Sequence, residues 1–169
     1  MIHIASDKSN SFLHKIDQKS ICPNAIDLRL AKVFMISHDP FTLTEEDRIH
    51  RTQFELAPDN DGYFNLWDGS YGIVFDNTIS VASDEAGFVI SRSTLMRNGV
   101  YIHSGLYDSG YTGPMHAALH VTRGLFKTKP NTRLAQFLLF KAESLKLYDG
   151  GYGYDSSGNR KKEQQKMNY

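Results

Sequence analysis

The feature that most limits what this chain can fold into is a succession of short alternating runs with turn residues between them. In Ile26-Asp27-Leu28-Arg29-Leu30 every second side chain is apolar. That spacing gives an extended strand one apolar face. The run continues through Val33-Phe34-Met35-Ile36. Similar stretches lie at 63–66, 71–75, 87–91, 100–103, 115–121 and 133–140. Turn signals stand beside them at Asn60-Asp61-Gly62, Asp68-Gly69 and Asp76-Asn77. Helical spacing is confined to a short N-terminal stretch, 11–21, where Phe12, Leu13 and Ile16 share a face, and to a turn near 45–49 within a polar excursion over 39–61. Many short strands and few helices predict an all-β sandwich or barrel.

The chain has 169 residues, without internal repeat or linker, which favours a single domain over 1–158. Residues 159–169, with Arg160-Lys161-Lys162, read as a flexible polar tail. Nineteen basic residues balance nineteen acidic ones. A neutral chain is a poor match for nucleic acid, whose binding needs a basic surface, but a small phosphorylated ligand needs only a few local cations. Cys22 is the only cysteine, which excludes an intrachain disulfide and a paired-thiolate metal site and suits a reducing compartment. No stretch approaches the roughly 20 apolar residues of a membrane helix. These signs predict a cytoplasmic protein with no membrane partner, in the host cytosol if the gene is viral.

Two segments carry most of the chemistry. Ser91-Arg92-Ser93-Thr94-Leu95 offers a cation and hydroxyls, groups that hold phosphate oxygens. Asp108-Ser109-Gly110-Tyr111-Thr112-Gly113 offers a carboxylate, then a ring framed by glycines. A carboxylate near a phosphate cradle suits hydrolysis of a phosphoanhydride by water. Each residue also has a plainer role. Asp before Ser-Gly often binds backbone N–H groups in a turn. Tyr111 could be core, and Arg92 could sit in a salt bridge. Gln136, the one amide in the apolar run 133–140, must be satisfied if buried, by a water or by a protein group. The Gly-Tyr-Ser-rich stretch 150–158 could close over a ligand or hang free. The seven histidines form no convincing metal set.

The order of these segments is more telling than any one of them. Ile26-Asp27-Leu28-Arg29-Leu30, Ser91-Arg92-Ser93-Thr94-Leu95, Asp108-Ser109-Gly110-Tyr111-Thr112-Gly113, Arg133-Leu134-Ala135-Gln136 and Gly150-Gly151-Tyr152-Gly153 resemble the five motifs of the dUTPase and dCTP deaminase superfamily. The likeness covers about residues 12–158. It implies a jelly-roll-like β-barrel with a flexible C-terminal arm, a homotrimer with sites between subunits, and Mg²⁺ held by the triphosphate and water, with no direct protein ligand. By the same resemblance Asp108 activates water at the α-phosphorus, Gln136 holds that water or its surroundings, and Ser93 donates near the scissile bridge. Arg92 supports the site or pairs with Asp27, and Thr94, Arg97 and Arg133 belong to the substrate-binding set. Tyr111 packs under the deoxyribose, Tyr152 stacks on the base, and Ser156 and Ser157 reach the terminal phosphates.

Two departures matter. The entry region 11–30 and Arg97 look like the deaminase branch, yet the position of that branch's catalytic glutamate holds Ala118, which cannot move a proton. The resemblance therefore implies deaminase-like architecture with hydrolase chemistry: dUTP to dUMP and pyrophosphate. A dCTP deaminase, alone or bifunctional, a dCTP or modified-pyrimidine hydrolase, and a regulatory nucleotide-binding protein are the alternatives. The fifth motif also lacks an arginine before its glycines, leaving Lys146 or Arg160 to supply the charge, and Tyr154 and Asp155 stand inserted before Ser156.

Overall fold

In the computed structural model, which describes residues 1–166, the strands are β1 (Phe12–Leu13), β2 (Ile26–Ile36), β3 (Thr42–Leu43), β4 (Arg48–Ile49), β5 (Gln53–Leu56), β6 (Phe64–Leu66), β7 (Gly69–Ser80), β8 (Glu85–Ser91), β9 (Val100–His103), β10 (Thr112–Val121), β11 (Phe126–Thr128) and β12 (Arg133–Lys141). Two short helices, α1 (Ser93–Arg97) and α2 (Lys162–Gln165), and a one-turn 3-10 helix at Gln18–Ser20 complete the described residues. Strands pair in the order β7-β10-β9-β8-β12-β2, and β2 pairs back onto β7, so six strands close into a barrel. β1 and β5 flank β7 and β2. The expected mostly-β barrel is what forms.

The alternation in β2 explains the closure. Ile26, Leu28 and Leu30 point inward and are buried. The register then shifts between Leu30 and Lys32, and Val33 becomes the next fully buried side chain. A slip of one residue turns the strand's other face inward, the usual effect of a bulge. With Ile73, Phe75 and Ile79 of β7, Met115 and Leu119 of β10 and Phe137 of β12, these residues form one core.

Several local expectations change. Only Gln18–Ser20 of the predicted helix over 11–21 is helical. Phe12 and Leu13 instead pair with Ser80 and Ile79, and Lys15 takes a positive φ of 59°. Asp76-Asn77 is not a turn but part of β7, because the buried Asn77 amide donates to the His14 and Lys15 carbonyls (2.8 and 3.2 Å). The helical turn expected near 45–49 is the hairpin β3–β4, with Thr44 Oγ1 accepting from the Glu46 and Asp47 amides. β5 was not foreseen. Residues 159–166, expected as a flexible tail, fold back on the arm: Lys161 N–H donates to Gly153 O at 2.9 Å and Gln164 is fully buried. Residues 167–169 of that tail lie outside the described residues.

Candidate functional site

Asp27 sits on β2 between inward-pointing neighbours, so its carboxylate projects from the outer face of the barrel, yet it is only 2 % exposed. Three chain segments cover it. Arg92 Nε and Arg133 Nη1 each lie 3.3 Å from its Oδ2. Gln136 Nε2 donates to Oδ1 at 3.2 Å, and the Cys22 thiol lies 3.4 Å from the same oxygen. The strand register explains the meeting, since β12 sets Gln136 opposite Asp27. Arg92 is tied further to β12 by its backbone N–H to Leu134 O (3.1 Å) and by Nη1 to Arg133 O (3.0 Å). Burial, with the Asp27 carboxylate next in effect, pushes the Cys22 thiol up, so it stays protonated at neutral pH.

This cluster fixes one wall of a cleft of about 780 Å³ that is also lined by Thr94. Ser93 opens α1 directly after Arg92, with its side chain exposed, and Arg97 ends the helix, also exposed. The structure thus brings together Asp27, Arg92, Ser93, Thr94, Arg133 and Gln136. In this cluster Gln136 is satisfied by Asp27, the alternative that the sequence left open beside a bound water. Cys22 is a member that the sequence did not suggest.

Asp108 lies elsewhere. It precedes a turn in which Gly110 takes a φ of 83° and the Tyr111 N–H donates to Asp108 O at 3.0 Å. Positive φ is cheap only for glycine. Ser109 Oγ anchors the turn to Glu85 O at 2.8 Å. The Asp108 carboxylate itself accepts no hydrogen bond and forms no salt bridge among the described residues. Asp108 therefore forms the turn through its backbone carbonyl, and its side chain does not bind the turn's N–H groups. Asp108 lines a second cleft with Ser109 and residues 142–150, separate from that of Arg92. Within one chain Asp108 is not brought to Ser93 or Gln136.

Tyr111 is 5 % exposed, donates to Pro114 O at 2.9 Å, and meets Tyr107 and Tyr148 edge-on at 5.5 and 5.4 Å. With Tyr152, His116 and Leu106 these rings enclose a cavity of about 190 Å³. Burial pushes the His116 imidazole down, partly offset by the Pro114 backbone, so it is neutral at pH 7. Tyr152 OH lies 3.2 Å from His50 Nε2. Ser156 and Ser157 are exposed in a tight loop whose amides at Ser157 and Asn159 donate to Asp155 Oδ1 (2.9 and 2.8 Å). They do not approach the Asp27 cluster, and Lys146, a candidate for the missing charge, pairs with Asp149 at 3.3 Å on the surface.

The arm rests on its own chain. Tyr148 N–H donates to Ser109 O and Tyr154 N–H to Thr112 O (2.8 and 2.7 Å). Gly153 makes this possible: its φ is 82°, and a Cβ there would collide with the Thr112 carbonyl oxygen. Gly153→Ala is expected to release the arm while the barrel's melting midpoint stays within a few degrees. Hydrogen exchange at Tyr154 is the measure, with faster exchange expected.

Solved structures of similar shape place the fold among dUTPases and dCTP deaminases. A dCTP deaminase from Agrobacterium tumefaciens matches at a TM-score of 0.57 and 17% identity, over 78% of this chain and 42% of that one. A dUTPase of Staphylococcus bacteriophage 80alpha matches at 0.52 and 12%, over 83% and 95%. Among curated sequences, the probable deoxyuridine 5'-triphosphate nucleotidohydrolase of Aeropyrum pernix is 32% identical over 79% of this chain and 84% of its own length. The deoxyuridine 5'-triphosphate nucleotidohydrolase of Methanocaldococcus jannaschii is 27% identical over 88% and 97%. The family model for dCTP deaminase-like proteins matches residues 2–142, and the chain belongs to that family.

Proposed function

We propose that the chain is a deoxynucleoside triphosphate diphosphohydrolase that converts dUTP and water to dUMP and pyrophosphate. The observation that carries this is the unengaged Asp108 carboxylate. It is held at the start of a glycine turn anchored by Ser109, with no ion-pair or hydrogen-bond partner among the described residues. A carboxylate so placed can take a proton from water.

The phosphate end is served by the other cluster. Asp27, steadied by Gln136, holds Arg92 in place, and Ser93 follows with an exposed side chain. An oriented guanidinium and a hydroxyl suit the oxygens of the phosphate chain, and positive charge there stabilises the leaving pyrophosphate. Arg133, Thr94 and Arg97 extend this end. Asp108 and Arg92 face different clefts, so a complete site needs Asp108 from one copy and Arg92, Ser93 and Gln136 from another. A homotrimer supplies that arrangement. Tyr111 backs the deoxyribose, and Tyr152 with Ser156 and Ser157 closes over the nucleotide once the arm leaves its resting place.

Mg²⁺ fits this reading as a companion of the triphosphate. Among the described residues no three His, Cys, Asp or Glu side chains converge as a cage, and in this reading its donors are phosphate oxygens and water. When bound it supplies neutralising charge at the phosphates. Ala118 on β10 offers no proton shuttle for deamination. No described helix is long and apolar enough to cross a membrane, and a cytoplasmic location suits a nucleotide-metabolising enzyme.

The test is a panel of dUTP, dCTP, dTTP and UTP with Mg²⁺, scoring pyrophosphate release and the product base. Pyrophosphate and dUMP from dUTP are expected. Deoxyuridine products from dCTP would restore the deaminase, and no turnover of any would leave a nucleotide-binding regulator.

A further inference from the structure

The cleft beside Arg92 has a far wall that the five motifs do not reach. Arg123, Lys127, Lys129 and Tyr63 line it. β11 pairs with β6, which brings Lys127 and Lys129 to Tyr63: their ammonium nitrogens lie 4.7 and 4.3 Å from the centre of its ring. None of the three cations forms a salt bridge among the described residues. Five cationic side chains line the cleft and no carboxylate does. Asp27 lies behind Arg92 and Arg133, and Asp59, held low by the Tyr63 N–H, by Asn65 and in small part by Lys127, is not part of the lining. In a chain of zero net charge this is a marked separation of sign. Like charges gathered without counter-ions raise the local potential and draw in an anion.

A second observation points the same way. Thr128 lines the cleft and is 5 % exposed, and its Oγ1 has no hydrogen-bond partner among the described residues. Buried hydroxyls are nearly always satisfied, so an orphan beside a cationic wall calls for a ligand with acceptor atoms.

We propose that Arg123, Lys127, Lys129 and Thr128 form a diphosphate-binding wall. The cleft has the volume of a small-molecule site, not the long basic stripe that a nucleic acid requires. The diphosphate is either the outer end of a nucleotide whose inner phosphate meets Arg92, or free pyrophosphate. The first of these rests on the function proposed above. Tyr63 holds both ammonium groups against its ring, which reduces the freedom they lose on binding.

The test is calorimetric titration with inorganic pyrophosphate, which needs no turnover. Lys127→Gln/Lys129→Gln is expected to weaken binding by about tenfold to a hundredfold, the scale of losing charge-assisted contacts. Both lysines are exposed, so the melting temperature should hold. Tyr63→Leu leaves every charge in place and is expected to weaken binding severalfold. Asp108→Asn should bind pyrophosphate as the unmodified protein does, so this site stands or falls apart from the hydrolase reading. Saturation with a non-hydrolysable dUTP analogue separates the two sources: exclusion of pyrophosphate assigns the wall to the bound nucleotide, and simultaneous binding assigns it to a free diphosphate. Equal affinity in the double-lysine variant, or no pyrophosphate binding by the unmodified protein, overturns the proposal.

Discussion

Asp108→Asn is expected to lower kcat for dUTP by about a thousandfold, within the range ascribed to a positioned general base. The amide has the same shape and keeps the Gly110 turn and the Ser109 anchor, but it cannot accept the proton of water. Binding of the nucleotide should survive, because the groups assigned to the phosphates lie in the other cleft. Steady-state kinetics with a separate binding isotherm gives both quantities. An unchanged kcat would remove Asp108 from the mechanism and leave its open carboxylate without a purpose.

Glu85→Gln is expected to destabilise the fold strongly. Glu85 is fully buried. Its Oε1 accepts from the Asn10 N–H at 3.0 Å and from Lys141 Nζ at 2.8 Å, and its Oε2 accepts from Ser9 Oγ, the Ser11 N–H and Ser11 Oγ. Burial alone would push this carboxyl up. Lys141 and the ring of donors outweigh it and hold the group at about 2, against an ordinary 4.5. The amide keeps the volume but loses the charge and turns two donors toward donors. The expected loss is about 3 kcal/mol, the scale of breaking a buried charge network. The pH dependence has a definite sign. The folded state binds this proton more weakly than the unfolded state, so the contribution is complete above about pH 4.5 and fades as pH falls toward 2. The loss of stability between denaturant melts at pH 7 and pH 3 should be smaller for Glu85→Gln than for the unmodified protein, the remainder belonging to other carboxylates held low, such as Asp17 and Asp59. The effect should reach the site as well, because the Glu85 carbonyl holds Ser109 beside Asp108.

Where one face of a strand is apolar, the sequence was sufficient. Ile26, Leu28 and Leu30 announced β2, and the runs at 100–103 and 133–140 mark β9 and β12 closely. Asp76-Asn77 misled because its turn chemistry is local, whereas the partners of Asn77 come from the N-terminal segment. Phe12 and Leu13 misled for the same reason, their helical spacing yielding to pairing with β7. At the site, the Asp27–Arg92 pair was legible as an option, and Asp108 as a candidate. What no local pattern could show is that Arg133, Gln136 and Cys22 converge on the same carboxylate, since that depends on the register between β2 and β12. The grouping of Lys127 and Lys129 at Tyr63 was hidden likewise, because it depends on the pairing of β11 with β6.

Ring closure also governs how copies of this chain can meet. β7 is bonded to β10 on one side and to β2 on the other, so the barrel spends its backbone donors and acceptors internally. The flanking β1 and β5 offer only two and four residues of open edge, and the two-stranded sheets β3–β4 and β6–β11 only two or three per strand. Filament growth by strand addition therefore finds little template, and side chains on the barrel's flanks are the larger surface for contact between copies.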